Sequence, residues 1–177
     1  GEFNNVYVLK SSNPNVAYIS DDGTIIARAT GITTITAYTV SGASASVTFS
    51  VTPDKPQNLT ATAKTTTSAE LTWNAIPNVT GYNIYRSTSK NGTFKKVGSA
   101  TTNSYTDKGL SKGKTYYYKV ACYVNSDGKQ AISAYSSVVS VKAAAPAPAQ
   151  ISAKKAKSGA AKITWSKSTG ANGYEVY

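Results

Sequence analysis

Residues 56–85 and 148–177 carry the same pattern, set 92 positions apart with no gap. Pro56, Trp73, Gly81 and Tyr85 recur as Pro148, Trp165, Gly173 and Tyr177, each pair differing by 92. Between them run Leu-Thr-Trp and Gly-Tyr-Asn-Ile-Tyr in the first copy, and Ile-Thr-Trp and Gly-Tyr-Glu-Val-Tyr in the second. Solenoid repeats are roughly 20–50 residues long, so a period of this length marks a tandem array of whole domains. The second copy reaches Tyr177 about a third of the way through the period, and the chain reads as a stretch of a longer modular protein. The expected layout is a first unit at 1–52, a complete unit at 53–144 and the opening strands of another at 145–177. Gly1-Glu2-Phe3 fits a cloning remnant and native chain equally well.

No helical period appears. Short β-branched and aromatic runs alternate with clusters of Gly, Asn, Asp, Pro and Ser, which predicts an all-β chain. In the middle unit Ala69, Leu71 and Trp73 share one face, and so do Tyr82 and Ile84. Tyr116, Tyr118, Val120 and Cys122 line the inner face of a longer strand. Asn91-Gly92 predicts a hairpin turn between strands near 81–87 and 93–98, Asp127-Gly128 the next turn, and 135–141 the last strand. Seven short strands in about 90 residues have the rhythm of an immunoglobulin-like sandwich, and the repeat extends this to tandem sandwiches. Thr52-Pro53-Asp54-Lys55-Pro56 should form a semi-rigid joint, and Ala143 to Pro148 an extended, stiff one.

Pro56, Leu59, Leu71-Thr72-Trp73, Gly81-Tyr82 and the run Leu110-x-x-Gly113-x-x-Tyr116-x-Tyr118-x-Val120 resemble a fibronectin type III domain, fully over 53–144 and partly over 145–177. The resemblance implies that Trp73 sits on the second strand at the core centre, with Tyr82 a structural residue of the same domain. It implies that the Tyr116 hydroxyl bonds back to the chain near Leu110, and that Trp165 repeats the role of Trp73. Lys112 stands where that family often has proline, which bears only on the stiffness of the turn.

The first unit carries Ser11-Ser12-Asn13-Pro14-Asn15-Val16-Ala17, then Asp22-Gly23, then Gly31-Ile32-Thr33-Thr34-Ile35-Thr36-Ala37. This is similar to the group 2 bacterial immunoglobulin-like family. Asp22-Gly23 suits a tight hairpin, and Val47, Phe49 and Val51 alternate in a final strand. Members of that family have two more strands before the Ser-Ser-Asn-Pro motif, so the unit reads as cut at its start.

Little here suggests chemistry. The chain has no histidine, the commonest general base. Its single thiol, Cys122, falls on an inward strand face, where a buried inert cysteine is the economical reading. The eight carboxylates are scattered, with no pair placed for glycoside hydrolysis. Asp21-Asp22-Gly23 reads as a turn rather than a calcium loop. No zinc spacing or phosphate-binding glycine loop is present. The expectation is no catalysis, no metal and no cofactor.

Net charge is +11, from −1 over 1–52, +8 over 53–145 and +4 over 146–177, nearly all of it lysine. Such a surface suits solubility, or a polyanion such as teichoic acid or an acidic glycan. Nucleic acid and membrane insertion are not expected as partners. Tyr85, Tyr117, Lys119 and Tyr123 should point outward on one sheet, an aromatic and lysine strip fit to stack on sugars or meet a protein. Plain half-exposed strand tyrosines are the simpler reading of it. The family resemblances imply an extracellular bacterial setting. There the units would serve as spacer or adhesion modules of a cell-surface protein, contacting cell-wall polymer, glycan, host protein or neighbouring modules. The alternative is accessory modules of a large secreted polysaccharide or peptidoglycan hydrolase.

Overall fold

The computed structural model describes residues 7–126, 128–145, 147–155 and 159–177. Gly1-Glu2-Phe3, Asp127 of the Asp127-Gly128 turn and Pro146 of the second linker lie outside the described residues. Every regular element among the described residues is a β-strand.

The chain opens with β1 (Tyr7–Ser11), β2 (Ala17–Ile19), β3 (Ile25–Ala27), β4 (Gly31–Thr39) and β5 (Ser44–Val51). β1, β4 and β5 form an antiparallel sheet in that order, and β2–β3 is a separate hairpin around Ser20–Thr24. Val16, Ala17, Ile32 and Ile35 are its buried apolar residues. The Ser-Ser-Asn motif has a clear local task. The hydroxyl of Thr33, itself only 1% exposed, lies 2.9 Å from the Ser11 hydroxyl and 3.1 Å from that of Ser12, and accepts the Asn13 N–H at 2.9 Å. A buried hydroxyl needs such partners to offset its desolvation. In β5 the expected alternation is incomplete in its burial, because Val47 is 58% exposed. It edges an apolar groove floored by Leu9, Ile35 and Ala37.

The middle of the chain is a sandwich. One sheet has the order β10-β7-β6, from β6 (Thr60–Thr65), β7 (Ser68–Thr72) and β10 (Ser104–Lys108). The other has the order β12-β11-β8-β9, from β8 (Gly81–Ser87), β9 (Lys95–Ala100), β11 (Thr115–Ser126) and β12 (Lys129–Ile132), and β13 (Val139–Lys142) pairs the start of β11. The core between them holds Leu59, Leu71, Trp73, Tyr82, Ile84, Leu110, Tyr116, Tyr118, Val120 and Cys122. Trp73 meets Tyr82 edge-on, ring centres 5.1 Å apart.

The hairpin expected at Asn91-Gly92 is present: β8 and β9 pair antiparallel across a loop from 88 to 94, with Gly92 N–H bonded to the Ser89 carbonyl. One local expectation needs correction. The last strand is split, giving eight strand segments instead of seven, and Tyr135 belongs to none. The cause is visible in the hydrogen bonds. The Ser133 and Ser136 hydroxyls accept the backbone N–H groups of Cys122 and Val120, each at 3.0 Å. A side-chain acceptor has replaced a ladder carbonyl, and the edge runs irregularly between β12 and β13.

The end of the chain reproduces the start of the sandwich at the 92-residue offset. β14 (Ser152–Lys155) pairs β15 (Ala161–Thr164) as β6 pairs β7. Thr60–Thr72 and Ser152–Thr164 hydroxyls both meet at 2.8 Å. Asn74 N–H reaches the Gln57 carbonyl, and Ser166 N–H that of Ala149. Asn58 and Gln150 share a left-handed φ of 54°. Trp165 packs on Tyr174 at 5.5 Å, and the Tyr174 hydroxyl takes the Ser168 N–H just as Tyr82 takes that of Ile76. One expected strand is missing. Residues 171–177 form none, whereas their counterparts 79–85 lead into β8, which is held by β9 and β11 on its two sides.

Both joints make contacts. Ser126 donates its hydroxyl to the Ile32 carbonyl at 2.9 Å, joining β11 to β4. At the other end Gly113 and Gly170 touch backbone to backbone, and Lys142 Nζ donates to Asn172 Oδ1 at 3.0 Å. A Cβ on Gly170 would lie 2.4 Å from the Gly113 Cα, and both residues hold positive φ, so only glycine fits this approach.

Candidate functional site

β8 and β11 are neighbours in register, with Lys119 opposite Tyr85, Tyr117 opposite Ser87 and Tyr123 opposite Gly81. Side chains alternate along a strand, so Tyr117, Lys119 and Tyr123 share the outer face with Tyr85. All four are half-buried. Tyr85 and Lys119 stand at the centre of the group. The Tyr85 ring meets Tyr135 edge-on at 5.2 Å, and Lys119 Nζ lies 3.6 Å from the Tyr135 ring centre and 4.7 Å from that of Phe94. Tyr123 lies further along, over Gly81, where a Cβ would stand 3.0 Å from its hydroxyl. Tyr117 occupies the other end of the strip, across from Ser140 of β13.

Phe94 and Tyr135 escaped the sequence reading. Both sit in connecting segments, and a period of two says nothing about which loop ring folds back on a sheet. The unstructured stretch around Ser133 and Ser136 is what swings Tyr135 over Lys119. An ammonium held between the Tyr135 and Phe94 rings gains from their quadrupoles. Partial burial and the neighbouring Tyr135 raise the Tyr85 phenol above its usual value, so it remains a neutral hydroxyl. The result is a platform with ring edges, hydroxyl tips and one cation, suited to weak contact with a polyol or a protein.

The opposite face of the same strands holds a second cluster that the sequence did not disclose. Arg86 Nη1 donates to Asp107 Oδ2 at 2.8 Å, and the Tyr118 hydroxyl donates to the same oxygen at 2.7 Å. Asp107 is 4% exposed and Tyr118 fully buried. The cluster bridges the two sheets, because Asp107 comes from β10. Partial burial draws the Arg86 guanidinium down, but the bond and charge of Asp107 outweigh it and hold it above its ordinary value. Burial and the Asp107 bond push the Tyr118 phenol far above the usual tyrosine range.

The remaining sequence candidates are structural in their surroundings. Tyr116 accepts the Ser111 N–H at 2.9 Å, one residue past the buried Leu110. Burial favours its phenol, yet that bond outweighs it and lowers the group below its ordinary value. Cys122 is completely buried, its thiol donating to the Asp54 carbonyl at 3.1 Å, and burial pushes the thiol up. Trp165 remains half-buried against Tyr174. Among the described residues no three His, Cys, Asp or Glu side chains gather where a metal ion could sit.

Two packed sheets, a core tryptophan and a tyrosine bonded across the turn before β11 are the features by which the central sandwich can be compared. Residues 54–139 match the family model of the fibronectin type III domain. This segment is a fibronectin type III domain. The family match stops short of 1–52. Among known proteins, the poly(3-hydroxybutyrate) depolymerase of Ralstonia pickettii is 49% identical over 65 residues, 37% of this chain and 12% of its own. Exoglucanase B of Cellulomonas fimi is 34% identical over 141 residues, 71% of this chain and 12% of its own. An alpha-amylase of Niallia circulans is 43% identical over 74 residues, 40% of this chain and 5% of its own. The chain thus spans about an eighth of the length of the first two. A solved Fn3-like protein from Clostridium thermocellum is 34% identical, covering 50% of this chain and 92% of its own with a TM-score of 0.41.

Proposed function

We propose that these units are non-catalytic accessory modules of a secreted bacterial enzyme that degrades an insoluble polymer. One observation carries the reading. The relatives are named as a depolymerase, an exoglucanase and an amylase, and the part of each that aligns here is only 12%, 12% and 5% of its length. A segment that small, recurring in enzymes of different substrates, behaves as a module beside the chemistry and not as the chemistry itself. An adhesin stalk on the cell surface, the other reading of the sequence, draws no support from these relatives. On our reading residues 1–52 form a bacterial immunoglobulin-like unit, 53–144 the fibronectin type III domain and 145–177 the first strands of the next, all outside the cell.

Within that role the Tyr85, Tyr117, Lys119 and Tyr123 face, enlarged by Phe94 and Tyr135, is where polymer or a neighbouring module would touch. The test is co-sedimentation of the purified chain with microcrystalline cellulose, granular starch and polyhydroxybutyrate. Retention on one of them, weakened at least fivefold by the pair Tyr85→Ala and Tyr135→Ala with the melting curve preserved, is the expected result. Turnover of any of these polymers by the purified chain would overturn the accessory reading.

A further inference from the structure

A groove of about 500 Å³ opens at the end of the central domain away from β4, on the face of β8 opposite the aromatic platform. Three cations line it from three elements: Arg86 of β8, Lys95 of β9 and Lys114 from the turn before β11. Hydroxyls of Ser87, Thr93 and Ser111 stand among them, and no carboxylate lines the groove. Asp107, the partner of Arg86, is buried behind it. We propose that this groove binds a saccharide unit bearing an anionic group, within an acidic polysaccharide.

The guanidinium is the reason to expect a defined site in place of a diffuse basic surface. Its Nη1 is tied to Asp107 at 2.8 Å and its Cζ lies 5.3 Å from the Tyr116 ring centre. Its orientation is therefore set before any ligand arrives. Arginine carries five N–H donors in a rigid fork, so donors remain to meet a planar carboxylate or a phosphate oxygen pair. Lys95 and Lys114 are exposed and flank it as mobile point charges. The volume lies within the roughly 300–1,000 Å³ of small-ligand sites, room for one or two sugar rings. The hydroxyls match a polyol. Nucleic acid fits less well, because single strands are held by exposed stacking rings and the groove's only ring, Tyr116, is 6% exposed.

The experiment is affinity electrophoresis and calorimetry of the whole chain with polygalacturonate, with a polyglycerol phosphate, with neutral amylose and with single-stranded DNA, at low and moderate salt. Binding to one or both anionic glycans is expected, and which binds tighter names the anion. The pair Lys95→Glu and Lys114→Glu should weaken it at least tenfold with the melting curve unchanged. Arg86→Lys, which keeps the charge and loses the fork, should weaken it severalfold. An equal loss from the distant pair Lys129→Glu and Lys162→Glu would overturn the site, leaving only general charge. Equal affinity for DNA with the same groove dependence would overturn the saccharide assignment. Failure to bind either anionic glycan would overturn both. Amylose binding that survives the groove variants belongs to the platform, and the results with the anionic probes do not bear on it.

Discussion

Three tyrosines in a row on β11 have three different fates, set by where each hydroxyl ends. Tyr116 accepts the Ser111 N–H, Tyr117 stands on the outer face, and Tyr118 is sealed in the core against Asp107. Tyr116→Phe should cost about 1 kcal/mol, near the lower end of the range for an orphaned donor, because Ser111 lies at the surface where water can replace the phenol. Tyr117→Phe should cost almost nothing. Tyr118→Phe should cost about 2 kcal/mol, since it removes a hydrogen bond to a buried carboxylate. Urea melts of the three variants check this order, and a Tyr117 effect as large as the others would contradict the facing. Tyr118 also predicts a pH dependence. Its phenol is raised in the folded state, while an unfolded tyrosine titrates near ~10. Above that pH the unfolded chain has released a proton that the folded chain keeps, so the stability present below it falls as pH rises. Tyr118→Phe should remove part of that alkaline loss, seen by comparing urea midpoints at about pH 8 and about 11 with those of Tyr117→Phe.

At the level of elements, the strand faces were legible because alternation depends only on neighbouring residues. Ala69, Leu71, Trp73, Tyr82 and Ile84 could be placed inward from their order alone, and all are buried. What stayed hidden depended on residues distant in sequence. Arg86 and Asp107 are 21 positions apart on different sheets, and nothing local marks them as partners. The irregular edge at 133–138 was misread for a related reason. Tyr135 and Val138 look like strand formers, but two serine hydroxyls take over the ladder. Ser133→Ala and Ser136→Ala should each cost about 1–3 kcal/mol, because each leaves a buried N–H of β11 without an acceptor. Thr62→Ala on the exposed side of β6 is the control, and costs as small as its own would show that the serines are incidental. The double serine variant should also loosen Tyr135 over Lys119, read as a gain in Tyr135 mobility by NMR.

On the scale of the whole molecule, the repeat is one of positions in space as well as of letters. Asn78 and Gly170 occupy equivalent places, both with positive φ, and Gly170 meets the preceding unit backbone to backbone. Gly170→Ala should therefore disturb the joint more than either unit. Its added Cβ collides with Gly113, so the expected outcome is an unchanged melting curve for the central domain with lost alignment of 147–177, measured by residual dipolar couplings. Retained alignment would mean that Lys142 and Asn172 suffice to hold the contact.

The sealed thiol gives the chain a way to report on its own integrity. Cys122 cannot be alkylated while its sulfur is covered and its proton is shared with the Asp54 carbonyl, and burial keeps it in the unreactive thiol form. Labelling must wait until the segment that enters the domain peels away from β11. In the proposed role, with a polymer pulling at one end of the chain, that segment is where load would enter the sandwich. The rate at which a thiol reagent reaches Cys122 would then serve as a strain gauge, rising with tension before the domain unfolds.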